Sequence, residues 1–154
     1  MVLSTSSSLT KPKVRKCCFI GLPASGKSYC SQKWSQWTNI KRISIDERIE
    51  MEYGASVKKI FEQKGKEFFR NKEHIVLKTA LKERSFILDP GAGIVENIQN
   101  RELIKNRCFV IYLYCPLPTL QNRLNNGLEM EKRPLLHSAT SSELKKIFIR
   151  RAAL

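Results

Sequence analysis

No apolar run in the chain approaches the roughly 18 residues that a membrane-spanning helix needs. The longest, Cys108 to Tyr114 with its flanks, has the length of a buried strand. No membrane association is expected. The five cysteines, Cys17, Cys18, Cys30, Cys108 and Cys115, include no CxxC pair and lie mostly in apolar stretches, where a free thiol behaves as a small hydrophobe. That use of cysteine belongs to a reducing compartment, and a cytoplasmic location is expected. The first sixteen residues lack the apolar core of a secretory signal; their serines and threonines, with Lys11, Lys13, Arg15 and Lys16, read as a flexible basic tail over residues 1–15. Internal repeats are absent, as are low-complexity segments beyond those serines. With 154 residues, 42% hydrophobic and 27% charged, the chain has the size and composition of one domain with an ordinary core.

Acidic residues are scarce: 14 Asp and Glu stand against 28 Lys and Arg, a formal net charge of +14. Such an excess points to anionic partners, which range from nucleic acid and acidic membranes to phosphorylated small molecules. The basic residues are dispersed among acidic ones, and neither an RNA-binding signature nor a basic helix interleaved with aromatics occurs. Solvated lysines around an anion pocket account for the charge, and no nucleic-acid partner is expected.

Short apolar runs at Cys17 to Ile20, Ile40 to Ile45, Phe86 to Leu88 and Cys108 to Tyr114 read as buried strands. Helical patterns lie between them: Lys27 to Trp37, Asp46 to Tyr53 ended by Gly54, Val57 to Lys64 ended by Gly65, and Glu67 to Lys82. Two more cover Pro118 to Leu124 and Ser141 to Ala153, with Thr140 and Glu143 at capping-box spacing. The alternation predicts an α/β fold, a parallel sheet flanked by helices. Asn125 to Ser138, with Gly127 and Pro134 and little apolar periodicity, reads as a long mobile loop.

The segment Gly21-Leu22-Pro23-Ala24-Ser25-Gly26-Lys27-Ser28 matches GxxxxGK[ST], directly after a strand and directly before a helix. Glycines let backbone N–H groups turn inward around phosphate oxygens, the helix N-terminus adds positive potential, Lys27 reaches the β- and γ-phosphates and Ser28 binds Mg²⁺. A carboxylate should stand at the end of a neighbouring strand to share the metal. Asp89 fits, since it closes Phe86-Ile87-Leu88 and opens Asp89-Pro90-Gly91-Ala92-Gly93; a turn or cap role is the alternative. Asp46 can accept a hydrogen bond from a substrate hydroxyl or cap the helix that follows. Arg70 and Arg133 offer planar forks for a carboxylate or phosphate, with surface ion pairs as the plain alternative.

Together these residues resemble the shikimate kinase family over about Lys16 to Leu154. The signs come in order: the P-loop at 21 to 28, Asp46, Ile60-Phe61, Gly65-Lys66-Glu67-Phe68-Phe69-Arg70, Gly91-Ala92-Gly93, Lys132-Arg133-Pro134-Leu135-Leu136 and Arg150-Arg151-Ala152. The P-loop is shared by many kinases; the other segments at these distances are more specific. The resemblance implies a single-domain P-loop kinase, residues 16–154, that phosphorylates the 3-hydroxyl of shikimate with Mg-ATP on the route to chorismate, working as a monomer. It implies ATP contacts from Gly21, Ala24, Ser25, Gly26, Lys27, Ser28 and Tyr29, with Arg123 against the adenine. Asp46 would hold the reacting hydroxyl and assist its deprotonation. Arg70 and Arg151 would bind the substrate carboxylate beside Gly91, Ala92 and Gly93, and Arg133 would swing from the lid loop toward the transferred phosphoryl.

Three positions depart from the family pattern. Ser44-Ile45-Asp46 stands for a DxD pair, Ala92 for the middle of three glycines, and Asp89 for a small or hydroxyl residue. Relatives also continue through more helix and a last strand, so an exposed sheet edge is expected. Two other readings stay open: a relative that binds ligand without turnover, and a kinase for another small hydroxylated acid or a nucleic-acid end.

Overall fold

Strands buried on both faces need helices on both faces, and the computed structural model, which describes residues 14–125 and 141–154, has that form. Along the chain come β1 (Lys16–Gly21), α1 (Lys27–Thr38), β2 (Arg42–Ser44), α2 (Ile45–Tyr53), α3 (Val57–Ala80) and β3 (Phe86–Asp89). A single 3₁₀ turn (Ile94–Glu96), α4 (Ile98–Arg107), β4 (Phe109–Leu113), α5 (Leu117–Asn125) and α6 (Ser141–Ala152) follow. The strands form one parallel sheet in the order β2-β3-β1-β4.

Side chains alternate across each strand, and the alternation sorts them into two apolar layers. Cys17 and Phe19 of β1 join Ile87 of β3 and Trp34 of α1 on one face. Cys18 of β1 joins Phe86 and Leu88 of β3, Ile43 of β2, and Ile49, Ile60, Phe69 and Leu77 of α2 and α3 on the other. Burial pushes the Cys17 thiol up to about 11 and the Cys108 thiol up to about 12, so both stay protonated and pack as small hydrophobes. A third cluster, Ala24, Leu120, Leu124 and Phe148, ties the loop after β1 to α5 and α6. Among the described residues β4 has a strand on one side only, and Phe109 and Tyr112 on it are 59% and 46% exposed.

The expected break at Gly65 is present: with φ 82° it leaves the helical conformation, and α3 is two helices that meet there across a kink; only glycine adopts that conformation without strain. α4 and the turn before it match no helix read from the sequence. α4 buries only Asn100 and Ile104 and carries almost no apolar face, so periodicity had nothing to detect. Its start is marked by Asn97, whose side chain accepts from the N–H groups of Gln99 and Asn100.

Because the sheet is parallel, β1, β2 and β3 all deliver their following loops to the same edge, with Ser44 paired to Asp89 in register. That edge is where α/β sheets bind ligands. No helix among the described residues is long and apolar enough to cross a membrane. The tail before residue 14, Arg133 with its loop from 126, and Thr140 lie outside the described residues.

Candidate active site

The loop after β1 bends through left-handed conformations at Ala24 (φ 61°) and Gly26 (φ 95°) before α1 begins. Alternating handedness turns successive N–H groups to one side, as an anion nest requires. At Gly21 a methyl group would stand 2.7 Å from the Leu113 carbonyl and 2.8 Å from Ser25 Oγ, so only glycine fits between β4 and the loop. Lys27 is buried, and its Nζ donates to the Leu22 carbonyl at 2.8 Å. Ser25 Oγ is buried without a hydrogen-bond partner among the described residues, an orphan that a phosphate oxygen would satisfy. Ser28 and Tyr29 are exposed beside the loop, and Arg123 of α5 donates to the Ala24 carbonyl at 3.0 Å.

The loop after β3 meets side chains from two other elements. A methyl group built on Gly91 would stand 3.0 Å from Asp46 Oδ1, and one built on Gly93 would collide with the Arg70 guanidinium. Asp46 of α2 and Arg70 of α3 therefore lie directly over this glycine segment. Position 92, where alanine replaces the middle glycine, lies between those two contacts.

Arg70 and Arg151 are each paired with a carboxylate. Arg70 donates to Glu73, one turn further along α3. Burial lifts the Glu73 carboxyl to about 7, with Arg70 offsetting part of the rise. Arg151 of α6 donates from Nε to Glu96 Oε1 at 2.8 Å. Burial lowers the Arg151 guanidinium from its ordinary value, with Glu96 opposing. The Glu96 carboxyl, which burial alone would raise, is held below its ordinary value by its Arg151 hydrogen bond and the surrounding cations. Arg70 and Arg151 are near enough for each to influence Glu73 and Glu96.

Asp89 is buried at the end of β3, and its Oδ2 accepts from Arg42 of β2. The same guanidinium donates to Glu47 at 2.9 Å and to Ser31 Oγ of α1 at 3.1 Å. Ser44, in place of a carboxylate, caps α2 by accepting from the Glu47 N–H. Arg42, Glu73 and Glu96 were not singled out in the sequence. The i,i+3 spacing of Arg70 and Glu73 was a usable signal, whereas Arg42 with Asp89 and Glu96 with Arg151 are joined only by the fold.

The residues suit a divalent ion of the Mg²⁺ type, which takes few protein oxygens together with phosphates and waters. Ser28 would supply the hydroxyl, and Asp89, whose Oδ2 accepts from Arg42, would accept from a metal-bound water through Oδ1. No cluster of three or more His, Cys, Asp or Glu side chains able to hold a metal occurs among the described residues.

Residues 23–154 match the family model described as shikimate kinase. The bifunctional shikimate kinase/3-dehydroquinate synthase of Thermotoga maritima is 35% identical over 132 residues, 86% of this chain and 26% of that protein. The shikimate kinase of Dictyoglomus turgidum is 37% identical over 119 residues, 77% of this chain and 69% of that protein. The chain thus spans a minor part of the first relative's length and most of the second's. A solved structure of shikimate kinase from Acinetobacter baumannii in complex with shikimate superposes with a TM-score of 0.79 at 25% identity, covering 92% of this chain and 76% of that one.

Glu73 generates a pH prediction. A carboxyl whose folded pKa is raised binds its proton more tightly in the folded state. Its contribution to stability is complete below the ordinary 4.5 and is lost as pH rises toward about 7. Thermal melting against pH should show the parent losing Tm across that window relative to Glu73→Gln. Parallel curves would contradict the raised value.

Proposed function

This chain belongs to the shikimate kinase family, and from that premise we infer that it transfers the γ-phosphoryl group of ATP to the 3-hydroxyl of shikimate. The observation that carries this reading is the meeting, at one sheet edge, of a phosphate loop with Asp46 over Gly91 and Arg70 over Gly93. A phosphate site alone fits any P-loop kinase; an aspartate and two forked cations beside it fit a hydroxylated carboxylic acid.

Phosphoryl transfer asks a protein for positioning and charge neutralisation more than for covalent chemistry. In this reading the loop N–H groups, Ser25 and Lys27 hold the phosphates, and Lys27 exchanges the Leu22 carbonyl for a phosphate oxygen. Arg70 and Arg151 grip the substrate carboxylate and so fix which hydroxyl reaches Asp46, which orients it and accepts its proton. Tyr29 and Arg123 flank the nucleotide, and Arg133, from outside the described residues, approaches the transferred group. Mg²⁺, held by Ser28 and through water by Asp89, would neutralise charge on the phosphates when bound. The kinase unit is residues 16–154, acting as a cytoplasmic monomer. A second reading, binding without turnover, draws on Ser44, which caps α2 where a metal-organising carboxylate is expected.

A coupled ADP-release assay should respond to shikimate and not to gluconate, nucleosides or 5′-hydroxyl oligonucleotides. Lys27→Ala should lower kcat on the order of 10²-fold or more, while Arg70→Ala should chiefly raise the KM for shikimate and leave that for ATP unchanged. Shikimate binding without ADP release would favour the second reading, and response to another acceptor would replace shikimate.

Asp89→Asn tests the metal assignment. The change also removes the buried one of the two carboxylates that pair with Arg42, leaving exposed Glu47, so stability should fall whatever the metal does. If Asp89 orders the metal's water shell, the activity curve shifts to higher Mg²⁺ concentration, and adding Ser44→Asp restores part of it. Lower Tm with an unmoved Mg²⁺ curve would leave Asp89 a structural partner of Arg42 alone.

A further inference from the structure

Two like charges directed at one crevice need compensation, and Glu96 compensates Arg151 in a particular way. Its Oε1 accepts from Arg151 Nε at 2.8 Å and stands 2.6 Å from Nη2, so it grips the side edge of the guanidinium. The same oxygen accepts from Arg150 at 3.1 Å, and Oε2 lies 3.8 Å from Lys66 Nζ. Glu96 thereby joins α6 and α3 to the 3₁₀ turn that follows Gly93. A guanidinium presents two edges that can bind a carboxylate in bidentate fashion, the side edge of Nε with one Nη and the end edge of the two Nη. With the side edge occupied, the end edge remains. The Arg151 side chain is 7% exposed, so it has little freedom to seek water instead.

We propose that Glu96 is a positioning residue for the acid substrate: by holding the side edge of Arg151 it aims the end edge at the substrate carboxylate. This rests on the shikimate reading above. Nothing in the local sequence marks the role, because Glu96 and Arg151 are 55 residues apart.

The test is steady-state kinetics on the full chain with Glu96→Leu, Glu96→Gln and Arg150→Ala, using shikimate and its methyl ester. Leucine removes the acceptor, so the KM for shikimate should rise on the order of tenfold, the scale of one charge-assisted hydrogen bond. At the same time kcat and the KM for ATP should stay within about twofold. Glutamine keeps an acceptor oxygen in place without the charge and should fall between parent and leucine, which also secures the test if Glu96→Leu does not fold. Arg150→Ala should leave the KM unchanged, and the ester, having no anion to bind, should give the same kcat/KM with parent and variants. An unchanged or lowered KM in Glu96→Leu would overturn the proposal, the latter by making Glu96 a competitor for Arg151. Equal losses on acid and ester would reduce Glu96 to a structural clasp. A parent inactive on shikimate would sink the functional reading and this proposal together; an active parent with an unmoved KM would sink this one alone.

Discussion

Two guanidiniums in one crevice repel each other, and much of the active-site side of this molecule follows from how that repulsion is offset. Arg70 and Arg151 come from helices far apart in sequence, and each is paired with a carboxylate of its own, Glu73 and Glu96. The compensation is local, so the pair keeps both cations ordered while leaving donors unused. The glycine segment supplies the rest: Gly93 lets Arg70 lie against the backbone, and Gly91 does the same for Asp46. α3 holds Arg70 because its other face is fixed in the core by Phe69, Val76 and Leu77, so the charged face inherits the rigidity of the apolar one.

A second ion pair works at the other side of the edge. Arg42 binds Asp89, Glu47 and Ser31, linking β2, β3, α2 and α1 around the base of the phosphate loop. A pair with Asp89 this buried adds little net stability, since removing both charges from water costs about what their attraction returns. It does fix geometry. Asp89 is thereby held at the end of β3, while Ser44, its partner in register on β2, caps α2.

The strands were legible because each is a short apolar run between polar helices, and their parallel arrangement follows from connections that return over the sheet. The P-loop was legible because its function depends on residue type at fixed spacing, so Gly21, Gly26, Lys27 and Ser28 carry their reason in the sequence. α4 was not, because it buries Asn100 and Ile104 and little else. Arg42 and Glu96 escaped for a different reason: each is an ordinary charged residue until the fold brings its partner, 47 residues away for Asp89 and 55 for Arg151. Asp46 and Arg70 were singled out from residue type and position and Arg151 through the family resemblance; the fold brings Asp46 over Gly91 and Arg70 over Gly93 of one segment.

The central claim is that the carboxylate grip of Arg70 and Arg151 decides which hydroxyl meets Asp46. Phosphorus–proton coupling in NMR spectra of the product made from shikimate and ATP tests it most directly, because it identifies the carbon that bears the phosphate. A single phosphomonoester at the 3-position is the result this account requires. A mixture of positional isomers, or free phosphate with unmodified shikimate, would contradict it.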